Sequence, residues 1–190
     1  MPERLAVETR RSGARITGVV YLLYFLTAVF SQLFARGDHA VLYKSISIIA
    51  EIFYLALTIR FYFLFKPVST VISLLAALFG FMGCANDLLR IFGIAPYKIN
   101  PLVFFGPYCV LIGYLILRSN FLPRVFGVLL VVAGVGWLTF LSPLATHLST
   151  FLKVLGFLAE VFLMLWLVVK GVNEQRWQEQ AGAAGTQASD

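Results

Sequence analysis

Polar residues punctuate this chain at intervals of roughly twenty residues, and the runs between them are almost wholly apolar. A run of that length, wound as a helix, matches a hydrocarbon layer about 30 Å thick. A helix also satisfies its own backbone in lipid, and no ten-residue alternation suggests a barrel. The pattern predicts an all-α polytopic membrane protein with six transmembrane helices, over 16–35, 42–65, 68–91, 101–117, 124–141 and 149–170. The breaks are made of turn formers and helix stops: Lys66-Pro67, then Gly93, Pro96, Asn100 and Pro101, then the connection 118–123, then Ser142-Pro143. Three parts follow: a basic tail over 1–14, a six-helix domain over 15–171, and a polar tail over 172–190. That last stretch is expected to be disordered, because it cannot bury enough apolar surface to fold.

The composition sharpens this reading. Hydrophobic residues make up 60% of the chain and the mean hydropathy is +0.88, far above the roughly half-apolar mix of a soluble domain. The first apolar run, although preceded by arginines, is longer than a secretory signal core and has no small-residue cleavage site, so it reads as a retained helix. In a soluble protein the net charge of +6 would point to nucleic acid. Here topology absorbs it, and no nucleic-acid partner is expected. With six crossings, the tails and the second and fourth connections hold Arg4, Arg10, Arg11, Arg15, Arg60, Lys66, Arg118, Arg124, Lys170 and Arg176. The opposite side holds Arg36, Lys44, Arg90, Lys98 and Lys153. The excess predicts a plasma membrane protein with both termini cytoplasmic.

Two stretches carry a glutamate inside an apolar run, LYKSISIIAEIF at 42–53 and FLKVLGFLAEVF at 151–162. In each, a lysine precedes the glutamate by nearly two helical turns, so Lys44 with Glu51, and Lys153 with Glu160, share a face. Sliding the chain until Glu51 falls on Glu160 also superposes Arg15 on Arg124, Gly18 on Gly127, Val19 on Val128, Ala50 on Ala159 and Phe53 on Phe162. Charges are rare letters here, and their recurrence predicts a parallel internal repeat of the first and third helical hairpins, with its axis along the membrane normal. Each glutamate then lies roughly 10 Å below its lysine, inside the hydrocarbon. An ionisable group there costs a few kcal/mol unless it faces the bundle interior and finds a partner. Two carboxylates meeting across a pseudo-two-fold axis would form a cation- or proton-responsive pair. Structural hydrogen-bonding or ion-pair roles for the same two residues are the competing reading.

Asp87 and Arg90, three apart near the end of the third helix, can pair locally or, with Asn86, line a vestibule. Arg60 falls on the face of its helix opposite Glu51, which suggests that it snorkels to the headgroups. Gly106 and Gly113, like Gly127 and Gly134, are spaced to mark faces where helices approach closely. Cys84 and Cys109 occupy separate apolar runs and read as buried free thiols. His39 and His147 lie in connections and lack the spacing of helical metal sites. No phosphate loop, nucleophile elbow or zinc motif is found, so neither cofactor nor metal is expected and an enzyme is the least favoured class.

The tract GYLILRSNFLPRVFGVLL at 113–130, the closing EVFLMLWLVVKGV, the opening RITGVVYLLYF and the segment KPVSTVISLLAALF resemble a bacterial multi-pass family known as domain of unknown function 4386. The resemblance covers about 15–173, with Tyr108 where many members carry a histidine. It implies a bacterial inner-membrane location and supplies no activity. Two functional classes follow from the residues. One is a small transporter-like or ligand-sensing protein whose binding residues are Glu51, Glu160, Lys44, Lys153, Asp87 and Arg90. The other is a non-catalytic accessory or scaffolding subunit. Membrane lipids, another membrane protein or a second copy of the chain are the expected partners.

Overall fold

The computed structural model describes residues 2–34, 39–94, 99–139, 141 and 145–187, and among them every regular element is a helix. These are α1 (Pro2–Leu33), α2 (Ala40–Phe65), α3 (Thr70–Ile91), α4 (Leu102–Arg118), α5 (Arg124–Thr139), α6 (Ala145–Val169) and α7 (Glu174–Gln187). Local chemistry sets most of the boundaries. The Ser69 hydroxyl accepts from Ile72 N at 3.4 Å to cap α3, and the Asn100 side chain accepts from Leu102 N at 3.1 Å to start α4. Gly93 and Gly171 adopt positive φ values of 73° and 71°, which a side chain would resist, and they stop α3 and α6.

The first six helices close into a ring. Each packs on the next in chain order, and α6 returns to α1. The ring's interior is filled by side chains from every helix, with Leu57, Phe65, Leu115, Ile116, Leu163 and Leu167 fully buried. Glycines allow the closest approaches. A Cβ on Gly18 would lie 2.6 Å from the backbone of Leu167 and Val168, so α1 and α6 close the ring through a position that admits only hydrogen. Gly113 and Gly127 meet in the same way between α4 and α5, as do Gly106 and Gly134. The outer surface is apolar, with Val41, Val71, Val169 and Leu33 among the most exposed side chains, as suits a protein solvated by lipid.

The structure bears on four of the sequence expectations, and the last three of them change. Among the described residues, three helices are long and apolar enough to cross a membrane: 13–33 of α1, α2 and α3. A fourth is obtained if the bent pair α6–α7 counts as one span. With 17 and 16 residues, α4 and α5 are apolar but short, at roughly 25 Å. Next, α1 begins at Pro2 rather than after the basic tail. Proline suits a first helical turn, and no strong breaker separates it from the apolar run.

Finally, residues 174–187 form a helix rather than a disordered tail. Although too polar to make a core of its own, this segment turns 99° from α6 and is held by the bundle. The Asn173 side chain caps it by accepting from Arg176 N at 3.2 Å, and the Trp177 indole donates to the Leu64 carbonyl at 2.9 Å. Gln180 accepts from Asn120 N at 3.2 Å. Arg60 also departs from expectation. Instead of reaching for headgroups, its guanidinium turns to α1, donating to the Gly13 carbonyl and, at 3.3 Å, to the Thr17 hydroxyl, which is itself buried.

Candidate functional site

The two glutamates set in apolar helices face different surroundings. Glu51 lines a cavity of about 560 Å³ bounded by α1, α2 and α3. Two turns above it on α2, Lys44 lines the same cavity, as the shared helix face requires. Asp87 and Arg90 reach it from α3, joined at 3.9 Å as the expected pair three residues apart. That separation and their partial exposure make it a weak ion pair. Tyr24, Ser31 and Gln32 of α1 and Tyr43 and Ser47 of α2 complete a polar wall. The lining thus combines two carboxylates, two cations and two phenols, with no net formal charge. Glu51 Oε2 is buried there with no hydrogen-bond partner among the described residues. Cys84, a buried free thiol on α3, donates to the Glu51 backbone carbonyl at 3.9 Å.

Glu160 is buried, 9% exposed, and accepts from the Tyr21 hydroxyl at 3.4 Å. It borders a second void of about 20 Å³ together with Tyr21, Tyr24, Tyr54, Tyr108 and the buried free thiol Cys109. A space of that size admits about one water molecule. The rings are in series. Tyr21 and Tyr24 are 6.4 Å apart between centroids, Tyr24 and Tyr54 5.2 Å, and Tyr54 and Tyr108 5.9 Å. Tyr24 lines both cavities, so a wall of phenols separates the polar cavity of Glu51 from the closed environment of Glu160.

Of the residues singled out from the sequence, Glu51, Lys44, Asp87 and Arg90 come together in one cavity. Glu160 belongs to the other, and the side chain of Lys153 lies outside the described residues. The helix order explains this division. Both α2 and α6 pack on α1, so tyrosines of α1 stand at each glutamate. Sequence reasoning missed these tyrosines. Their signal was the spacing of Tyr21 and Tyr24, one helical turn apart on a helix with no carboxylate in its apolar part.

A match to the family described as Domain of unknown function (DUF4386) covers residues 88–171, from the end of α3 to the end of α6. An uncharacterized protein of Archaeoglobus fulgidus is 34% identical in an alignment 127 residues long that covers 60% of this chain and 74% of that one. No solved structure matches.

Proposed function

The chain belongs to the family described as Domain of unknown function (DUF4386); as that description names no activity, we propose from the site itself a small transporter-like or ligand-sensing membrane protein. The observation that carries this reading is the cavity of about 560 Å³ beside Glu51, which falls in the range of small-molecule sites. It is lined by groups that are expensive to keep in an apolar bundle. A scaffold has no need of an unpaired buried carboxylate oxygen at the floor of such a cavity.

In this reading the chain crosses the membrane six times, with both termini on the cytoplasmic side. The short helices α4 and α5 lie side by side and between α3 and α6 in the ring, and a bilayer accommodates a short span by local thinning at modest cost. Hairpins α1–α2 and α5–α6 are related copies. Gly18 and Gly127, matched by the repeat, each press on the backbone of a neighbouring helix, which supports the relation. In a ring of six that follows chain order, however, these hairpins stand a third of a turn apart, not across a two-fold axis. The glutamates then act from separate chambers: Glu51 contacts ligand, and Glu160 with Tyr21 lies behind the phenol wall.

The test is thermal melting of the detergent-purified protein against a panel of small amines, zwitterions and inorganic cations, with Glu51→Gln alongside. The reading expects at least one class to raise the wild-type midpoint, and the variant to fold but lose that shift. If no class shifts the wild type, the accessory-subunit reading takes its place.

A further inference from the structure

At the end of the bundle where α6 gives way to α7, a cleft of about 370 Å³ lies between the α4–α5 connection and the 170–173 corner. Lys170 and Arg176 line it, Trp166 forms a wall, and none of its lining residues is a carboxylate. A third cation stands at the same corner, because a Cβ on Gly171 would lie 3.7 Å from Arg15 Cγ. The cleft's neighbours along α5 and α6 are apolar and turned outward: Val125 is 56% exposed and Val169 63%. One region therefore offers the positive charge of Lys170 and Arg176 beside bare hydrocarbon-facing surface.

We infer that this cleft binds a phosphoryl group, held by Lys170 and Arg176, and that its natural source is an anionic phospholipid whose chains lie along Val125 and Val169. The chemistry selects the ligand. A phosphate diester accepts several charge-assisted hydrogen bonds, which Lys and Arg supply. Basic pockets among membrane helices serve anionic headgroups in this way. A zwitterionic headgroup is disfavoured, because its ammonium would find no carboxylate among the residues that line the cleft. The cleft is made by the bend between α6 and α7, so occupancy also favours the docked position of α7. Arg176 already reaches the Asn120 carbonyl at 3.4 Å across it. This inference concerns a site remote from Glu51 and stands or falls separately from the proposed function.

The full chain in a neutral detergent is titrated with short-chain phosphatidylglycerol, short-chain phosphatidylcholine and glycerol phosphate, and bound molecules are counted by native mass spectrometry. Lys170→Gln is the principal variant, since the Lys170 side chain makes no hydrogen bond among the described residues and its loss leaves α7 held. Phosphatidylglycerol is expected to bind at least about tenfold more tightly than phosphatidylcholine, and Lys170→Gln to weaken it about fivefold. Arg176→Gln should weaken it further. If glycerol phosphate binds as well as the lipid and shows the same Lys170 dependence, the phosphoryl site stands and its source is a soluble ester. Equal binding of the two lipids, or no effect of Lys170→Gln, overturns the proposal.

Discussion

Replacing Gly113 by alanine is the sharpest test of how α4 and α5 pack. The added Cβ would lie 2.8 Å from the Gly127 carbonyl oxygen and from Val131 N, both backbone atoms of α5. Ordinary contact between such atoms begins nearer 3.4 Å, so the helices must separate by roughly half an ångström. Forcing an extra carbon into a packed interior costs about 1–3 kcal/mol. Alanine returns up to about 1 kcal/mol of helix propensity relative to glycine. The net expectation is a loss of about 1–2 kcal/mol. Gly127→Ala should behave alike, its Cβ lying 2.7 Å from the Gly113 carbonyl oxygen. The double variant should lose less than the sum, because helices already parted by one methyl have room for the other. Gly182→Ala is the control. A Cβ there meets nothing within 4 Å, so no steric cost is added and stability should be unchanged or slightly higher. The protein carries its own reporters in Cys84 and Cys109, buried free thiols that a thiol-reactive fluorophore labels on unfolding. If Gly113→Ala and Gly127→Ala unfold at or above the wild-type midpoint in a detergent melt, the close approach of α4 and α5 is wrong.

Two further outcomes follow from contacts that cross between helices. Arg60→Gln removes the guanidinium that joins α2 to Gly13 and Thr17 of α1. It should cost about 1–3 kcal/mol in the same melt, and Arg60→Lys should not restore it, since an ammonium cannot span both acceptors in the planar fork of arginine; wild-type stability in either variant would return Arg60 to the headgroups. Trp177→Phe deletes the 2.9 Å bond to the Leu64 carbonyl, worth about 1 kcal/mol. Limited proteolysis should then cut within α7 faster while the thiol-reported melt of the bundle stays near wild type; unchanged proteolysis would mean that α7 is held by other contacts.

Much of the fold was legible because it is local. Apolar runs of membrane-spanning length form helices wherever they sit in the chain, since each backbone group finds its partner within four residues. Proline, glycine and capping residues mark the ends for the same reason. The Asp87–Arg90 pair and the close-packing glycines of α4 and α5 were also visible, because spacing alone puts such residues on one face.

What surrounds a side chain depends instead on the order and rotation of neighbouring helices, which no local pattern encodes. The ring order decided that Glu51 shares a cavity with Asp87 and Arg90 of α3, and that Glu160 meets Tyr21 of α1 rather than Glu51. It also turned Arg60 inward to the Gly13 carbonyl. The polar segment 174–187, unable to form a core, became a helix because an indole and a few amides found acceptors and donors on the end of the bundle. Periodicity and hydrophobicity determined which residues are helical and which face membrane or interior. Only packing between distant parts of the chain decided which charges meet, because the low-dielectric interior rewards each buried polar group solely through the partner that tertiary contact brings to it.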